Sequence, residues 1–170
     1  MNNYIIKYSF LIILLALIQV LILNNILFLG YINPIIYIFF IFIFPIKENK
    51  NALLLFSFTL GLIIDFLSNS GGSNTAAIVF IAYFRLPILK IIQNNNEFDY
   101  LLFNIKKLNF IQILIYIFIL TFIHHLIVYY LEYYTLKNFL FILKKAFYAS
   151  IFSSIIIGFS VSLFIKNNNS

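Results

Sequence analysis

The acidic and histidine side chains that could carry chemistry in this chain lie within long apolar runs. Asp65 stands near the end of one run, shortly before Gly71 and Gly72, and His124 and His125 are adjacent in another. An ionisable group inside hydrocarbon is costly and is by default a candidate functional residue. A carboxylate and an imidazole could act together as a general acid and base, or could bind a metal ion.

The spacing of these residues argues against both kinds of chemistry. Consecutive helical residues point about 100° apart, and no acid or second histidine lies three or four positions from either His124 or His125. The chain has no cysteine and no Walker-type, GxGxxG or HExxH motif. We therefore predict no metal, no cofactor and no enzymatic activity. An intramembrane enzyme that uses Asp65 with His124 or His125 is kept as an alternative.

The composition identifies the class of protein. Of 170 residues, 64% are hydrophobic and 9% are charged, with a mean hydropathy of +1.05. Soluble domains are roughly 45–50% apolar and 25% charged. The net charge of +6 is scattered in short clusters between apolar runs, which is typical of residues that orient a membrane protein and not of a nucleic-acid-binding face. We predict an all-α integral membrane protein.

Apolar runs long enough to span a membrane predict one transmembrane domain with about six helices, packed as a compact bundle. The second run is short and is bracketed by Asn33-Pro34 and Pro45, which allows a tilted or partly re-entrant segment. The aromatic and charged stretch 129–145 suits an interfacial segment on the outer surface, and a five-span arrangement that merges this stretch differently stays open. The predicted spans cover residues 8–24, 31–46, 52–68, 74–92, 108–130 and 146–165.

The basic residues predict the orientation of these spans. With six spans and the N-terminus in the cytoplasm, eight basic residues are cytoplasmic and three are external, as the excess of Lys and Arg in cytoplasmic loops requires. The cytoplasmic set is Lys7, Lys47, Lys50, Arg85, Lys90, Lys106, Lys107 and Lys166, and the external set is Lys137, Lys144 and Lys145. Both termini are then cytoplasmic.

The third span presents small and polar residues along one face. Ser57, Gly61 and Asp65 recur at intervals of four, which predicts close packing of a neighbouring helix, most simply the fourth span. Arg85 on that span lies about 12 Å along the axis from Asp65, too far for an ion pair. We expect its guanidinium to extend to the cytoplasmic surface.

The glycine pair predicts the turn between these two spans. Gly71 and Gly72 tolerate positive φ, and the side chain of Ser73 or Asn74 is expected to cap the following helix. Tyrosines near residue 130 are expected to anchor in the interface as an aromatic belt, namely Tyr129, Tyr130, Tyr133 and Tyr134. The outer ends of the spans bring together Asp65, Asn69, Asn74, His124, His125 and Glu132. Such a face suits either a partner protein or the mouth of a small-molecule site.

Two stretches carry a resemblance to a known family. The order Gly-Leu, Asp, Ser-Asn, glycine turn, Ala-rich helix and Ala-Tyr-x-Arg in GLIIDFLSNSGGSNTAAIVFIAYFRLPILK, with NPIIYIFFIFIFP upstream, resembles the rod shape-determining protein MreD family. The resemblance covers roughly residues 33–90. The family more often has His or Leu where this chain has Ser73 and Asn74.

The resemblance implies a bacterial inner-membrane protein without catalytic activity. Such a protein binds MreC, a single-span protein with a periplasmic domain, and works with the MreB filament, the glycosyltransferase RodA and a penicillin-binding transpeptidase in lateral peptidoglycan synthesis. The family's fold also resembles the substrate-binding subunits of energy-coupling-factor vitamin transporters, and membership of that second class is the alternative function. The candidate partner-interface residues are Ser57, Gly61, Asp65, Ser68, Asn69, Gly71, Gly72 and Arg85.

Overall fold

The computed structural model describes residues 2–26, 32–46, 48–93, 109–133 and 139–167, and these residues fold as helices without β-strands. The α-helices are α1 (Asn2–Leu17), α2 (Phe39–Ile43), α3 (Lys50–Ser68), α4 (Ser73–Gln93), α5 (Phe110–Tyr133) and α6 (Phe139–Asn167). A π-helical turn, Ile18–Ile22, and a 3-10 turn, Leu23–Asn25, extend α1. The predicted all-α membrane bundle is confirmed.

Five of these helical stretches are long and apolar enough to cross a membrane, and they cover Ile5–Asn25, Lys50–Ser68, Ser73–Gln93, Phe110–Tyr133 and Phe139–Leu163. Large apolar side chains such as Phe10, Phe66 and Ile91 are exposed on their outer surfaces. An exposed apolar surface of this extent is expected where a helix faces lipid. The chain is therefore a multi-pass membrane protein in contact with the bilayer.

The remaining predicted span, 31–46, is not a regular helix. Within its described part, the backbone is helical only over Phe39–Ile43, and the preceding residues 32–38 lack helical structure. The expectation of a helix over this range was therefore wrong. Pro34 explains part of the difference, because it disfavours the helical conformation of the residue before it.

Residues 32–46 nevertheless pass from one end of the bundle to the other. Tyr8, near the start of α1, packs against Phe56, near the start of α3, with ring centroids 6.2 Å apart. Asn24, at the end of α1's extension, donates to Ser68 at the end of α3 over 2.9 Å. Two parallel helices require the chain between them to return across the bundle. We call residues 32–46 the crossing segment.

The crossing segment occupies the centre of the bundle. Tyr37, Phe40 and Phe44 have almost no exposed surface and are among the largest fully buried side chains. The other helices surround them as antiparallel neighbours: α3 packs on α4, α4 on α5 and α5 on α6. Asn24, Ser68 and Asn74 mark the polar end of the bundle. The described part of α1 begins at the opposite end, and the described part of α6 ends there.

The last two spans differ from their predicted limits. Residues 129–133 continue α5, and α6 begins at Phe139 and not near residue 146. Where the structure describes it, the stretch 129–145 thus belongs to the two spanning helices and forms no separate interfacial segment. Residues 94–108, 134–138 and 168–170 lie outside the described residues, as do Lys47, Lys106, Lys107, Tyr134 and Lys137 among the residues considered above.

Candidate functional site: the polar end of the bundle

Asp65 joins the end of α3 to the start of α4. One carboxylate oxygen accepts from the Asn74 backbone N–H at 3.1 Å and the other from the Thr75 N–H at 2.8 Å. The side chains of Ser70, Asn74 and Thr75 add three more donors, at 2.5, 2.9 and 2.5 Å. These contacts satisfy backbone donors that have no partner inside the helix. Asp65 is therefore the N-terminal cap of α4, supplied from the preceding helix.

The small residues of α3 allow this geometry. A Cβ added to Gly61 would lie 2.5 Å from the Cα of Thr75 and 3.0 Å from its nitrogen. Ser57, one turn earlier, is fully buried. The predicted close packing of α3 on α4 is confirmed, and it is this packing that brings Thr75 within reach of Asp65.

The turn between the two helices uses three residues with positive φ. These are Asn69 at 53°, Gly71 at 64° and Gly72 at 94°, so the prediction for the glycine pair is confirmed. The predicted capping role of Ser73 or Asn74 was wrong, because the Asp65 carboxylate takes that position. The Ser73 hydroxyl is buried without a hydrogen-bond partner, and the Asn74 side-chain oxygen accepts a bond from Tyr37.

A chain of hydrogen bonds runs from Asp65 into the centre of the bundle. The Asn74 amide nitrogen donates to Asp65, the Tyr37 hydroxyl donates to the Asn74 oxygen at 2.7 Å, and His124 Nε2 lies 2.9 Å from the same hydroxyl. Because the single hydroxyl proton of Tyr37 points to Asn74, His124 Nε2 is the donor in the third bond. One directed network thus connects α3, α4, the crossing segment and α5.

His125 anchors the crossing segment to α6. Its Nδ1 lies 2.7 Å from the Thr121 carbonyl oxygen and must donate to it, so that Nε2 is an acceptor. Ser153 lies 3.2 Å from that Nε2 and accepts from the Ile35 backbone N–H at 2.9 Å. The histidine pair therefore holds together three elements, and within the described residues no group of three His, Cys, Asp or Glu side chains is placed to hold a metal.

Arg85 lies toward the opposite end and is 2% exposed. Its Nη1 donates to the carbonyl oxygens of Ile41 and Phe44, both at 2.9 Å, and its Nη2 donates to that of Pro45 at 3.2 Å. The expectation that the guanidinium extends to the surface was wrong, because it satisfies carbonyls where the crossing segment leaves helical structure. Arg85 is not among the donors to Asp65, as the axial separation predicted.

Gln19 likewise forms hydrogen bonds to non-helical backbone of the crossing segment, but at the polar end. It lies in the π-helical turn that extends α1, is 1% exposed, donates to the Pro34 carbonyl at 3.1 Å and accepts from the Ile36 N–H at 2.8 Å. It also donates to Asn24, whose amide nitrogen donates to Ser68. Unwound backbone in a membrane is stable only when its polar groups find such partners.

Two concave sites open at the polar end. The first, which we call the turn groove, is about 410 Å³ and lies between the α3–α4 turn and the end of α5; Asn69, Gly71 and Gly72 line one side and Leu131 the other. The second, which we call the inner cavity, is about 270 Å³ and lies between α1, the crossing segment, α3, α4, α5 and α6. Glu132 contributes to both.

The candidate interface residues thus fall into three groups. Asn69, Gly71 and Gly72 line the turn groove, and Ser68 lines the inner cavity. Asp65, Ser57 and Gly61 are buried and shape the α3–α4 hairpin. Arg85 is buried away from them and supports the crossing segment.

The predicted convergence of polar groups is found for five of the six residues, whereas His125 bonds to Thr121 and Ser153. Asp65, Asn74 and His124 are joined by hydrogen bonds through Tyr37, while Asn69 and Glu132 line the turn groove. Tyr129 was wrongly placed in an aromatic belt: it is 5% exposed and lines the inner cavity, whereas Tyr130 and Tyr133 are 43% and 40% exposed.

Sequence reasoning missed several polar residues that build the site, and four of them make its central contacts. These are Gln19, Tyr37, Thr75 and Ser153. Gln19 and Ser153 each interrupt a strongly apolar run, and that interruption was the available signal. Tyr37 and Thr75 stand beside Phe, Ile or Ala residues, and their positions in the sequence gave no signal of a role in the site.

No protein-family model matches this chain, and no curated protein or solved structure matches it either.

Proposed function

We propose that this chain is a non-catalytic component of a bacterial cell-elongation complex, located in the cytoplasmic membrane with both termini cytoplasmic. In this role it binds an MreC-like single-span partner and helps direct lateral peptidoglycan synthesis together with MreB, RodA and a penicillin-binding transpeptidase. The proposal rests on the resemblance of residues 33–90 to the MreD family. Its polar end would then face the periplasm, where the partner's folded domain lies.

The observation that supports this role is the construction of the α3–α4 turn. Five hydrogen bonds to Asp65 fix the turn against α4, so its shape is set before any partner arrives. The turn groove beside it combines the exposed residues Asn69 and Gly71 with the apolar Leu131. A preformed groove of this kind suits a segment of another protein, because little ordering entropy is lost on binding.

The test is affinity purification of the tagged chain from its native membrane in mild detergent, with identification of stoichiometric companions by mass spectrometry. Recovery of a single-span protein with a periplasmic domain, together with wall-synthesis enzymes, is the expected result. Recovery of a paired ATPase module without these proteins would replace the proposal with the transporter function.

A variant in the turn groove links the partner to this surface. Gly71→Asn adds a side chain where no atom lies within 4 Å of the new Cβ, and Asn tolerates the positive φ of 64°. We expect it to reduce partner recovery at least threefold at equal membrane abundance. Lys144→Ala, an exposed change outside both concave sites, is the matched control. Equal partner recovery with the unmodified chain, Gly71→Asn and Lys144→Ala would show that the turn groove does not bind the partner.

The inner cavity favours a second candidate function, a substrate-binding subunit of a vitamin or small-molecule transporter. Polar side chains from several elements converge on this cavity, as expected of a small-molecule site. Such a subunit would bring a paired ATPase module into the purification described above.

A further inference from the structure

The inner cavity has walls that are already fixed by hydrogen bonds within the protein. Gln19 uses both ends of its amide on the crossing segment and Asn24, and Asn74 is bonded to Asp65, Ser70 and Tyr37. These side chains line the cavity without being free to rearrange. A ligand that enters it would therefore meet a preorganised polar surface.

Within the described part of the chain, two polar atoms in this wall lack a hydrogen-bond partner. The Tyr129 side chain lines the cavity and is 95% buried, and its hydroxyl is buried without a hydrogen-bond partner. The Asn33 side-chain oxygen is likewise buried and unpartnered in the same wall. A buried polar atom without a partner destabilises the protein by about 1–3 kcal/mol. A ligand that forms a hydrogen bond with either atom would remove this cost and bind more tightly. One can donate or accept, and the other accepts only.

Opposite charges stand at the same cavity. Glu132 of α5 and Lys145 of α6 both line it, and no ion pair joins them in the described part of the chain. The Lys145 ammonium lies 4.6 Å from the centre of the Tyr129 ring and donates to the Tyr133 hydroxyl at 3.0 Å. The ammonium therefore lies over the face of the Tyr129 ring and adds a positive charge to the wall that this side chain lines. The Glu132 carboxylate supplies a separate site for a cation.

We propose that the inner cavity binds a water-soluble zwitterion of amino-acid to dipeptide size. Its carboxylate meets Lys145 and the Tyr129 hydroxyl, and its ammonium group meets Glu132 and the Asn33 side-chain oxygen. The volume of about 270 Å³ lies just below the roughly 300–1,000 Å³ of sites for drug-sized ligands, which restricts the ligand to this size class. This inference does not depend on the scaffold function, because Lys145, Tyr129 and Asn33 line the inner cavity and not the turn groove, although Glu132 lines both.

The test is equilibrium dialysis of the purified full-length chain in phosphatidylglycerol nanodiscs. The probes are the twenty isotope-labelled proteinogenic L-amino acids and glycylglycine, quantified by mass spectrometry against empty nanodiscs. Tyr129→Phe and Lys145→Met change the cavity, and their matched controls are the neighbouring changes Tyr130→Phe and Lys144→Met. Glu132→Gln removes the opposite charge. Size-exclusion chromatography verifies that each variant remains folded.

We expect at least one probe to be retained. Tyr129→Phe, Lys145→Met and Glu132→Gln should each weaken its binding at least about tenfold, because each variant removes a contact with a charged group of the ligand. Both control variants should bind within about twofold of the unmodified chain.

Three results would overturn the proposal. The first is retention of none of the probes by the folded protein. The second is equal binding by the cavity variants and their controls. For the third, glycerophosphoethanolamine is added as a further probe and the dialysis is repeated in phosphatidylethanolamine nanodiscs. Retention of glycerophosphoethanolamine in place of every amino acid, with loss of that binding in phosphatidylethanolamine nanodiscs, would identify a lipid headgroup as the occupant.

Discussion

Gly61→Ala tests whether close helix packing and the Asp65 cap are one device. The added Cβ would lie 2.5 Å from the Thr75 Cα, whereas carbon atoms pack at roughly 3.5–4.0 Å, so α4 must move away by about 1 Å. Thr75 carries one of the backbone N–H groups that Asp65 caps, at 2.8 Å. A displacement of about 1 Å takes this bond beyond the distance at which a hydrogen bond forms.

The two losses set the expected magnitude. Overpacking a helix interface costs about 1–3 kcal/mol, and the improved helix propensity of Ala returns up to about 1 kcal/mol. The weakened cap adds about 1 kcal/mol. A net destabilisation of about 2 kcal/mol should lower the melting temperature by about 4–8 °C. Since the chain has no Trp, the assay heats a green-fluorescent-protein fusion in detergent and measures the folded fraction by size-exclusion chromatography.

Gly158→Ala is the matched control, because the nearest atom to its new Cβ is a Leu114 methyl group at an ordinary 3.6 Å. It should leave the melting temperature unchanged or raise it slightly. In a double-mutant cycle, Gly61→Ala should cost less in an Asp65→Ala background, where the cap is already absent. Equal melting temperatures for the two glycine variants, or full additivity with Asp65→Ala, would refute the coupling.

Three further predictions concern the crossing segment. Arg85→Met should destabilise the fold by about 2–4 kcal/mol in the same assay, because buried carbonyl oxygens lose their donors, while the exposed change Lys90→Met should have little effect. Gln19→Leu should cost about 2–4 kcal/mol for the same reason, and a shift below about 1 °C would contradict its role. Since the chain has no cysteine, Asn25→Cys and Glu48→Cys can each be labelled uniquely by an impermeant maleimide. They should react from opposite sides of the membrane, and labelling from one side would show that residues 32–46 do not cross.

The α3–α4 hairpin was the part of the fold that the sequence predicted best. The observed helices, Lys50–Ser68 and Ser73–Gln93, differ from the predicted spans 52–68 and 74–92 by at most two residues at each end. This hairpin depends on local signals: uninterrupted apolar runs, glycines that permit positive φ, and small residues at intervals of four. Such signals are complete within about forty neighbouring positions, so no distant contact is needed to interpret them.

The errors arose where a side chain bonds to distant backbone. Arg85 was predicted to lie near a membrane surface because its acceptors leave no signal in the sequence. These acceptors are backbone carbonyl groups some forty positions earlier, and every residue type has such a group. Tyr129 resembled its exposed neighbour Tyr130, and only the packing of α5 against α6 separates a cavity wall from an aromatic belt. Periodicity predicts which face of a helix is apolar, but it does not show which polar side chain forms hydrogen bonds with the non-helical backbone of the crossing segment.

The shortness of the crossing segment explains both its unwinding and the polar end. A helix over the fifteen residues 32–46 would span about 22.5 Å at 1.5 Å per residue, less than the roughly 30 Å of a bilayer core. Residues 32–35 can extend to about 13 Å at 3.3 Å per residue. The turns and helix over residues 36–43 add about 12 Å at 1.5 Å per residue, and residues 44–46 add up to about 10 Å. Unwinding therefore lets a short run cross, but it releases backbone groups that must be paired within the membrane. Gln19, Ser153 and Arg85 pair with those groups, and the unwound half lies at the polar end. Tyr37 and Asn33 of that half line the inner cavity, so the same local loss of helix that the short span requires also creates the cavity's polar wall.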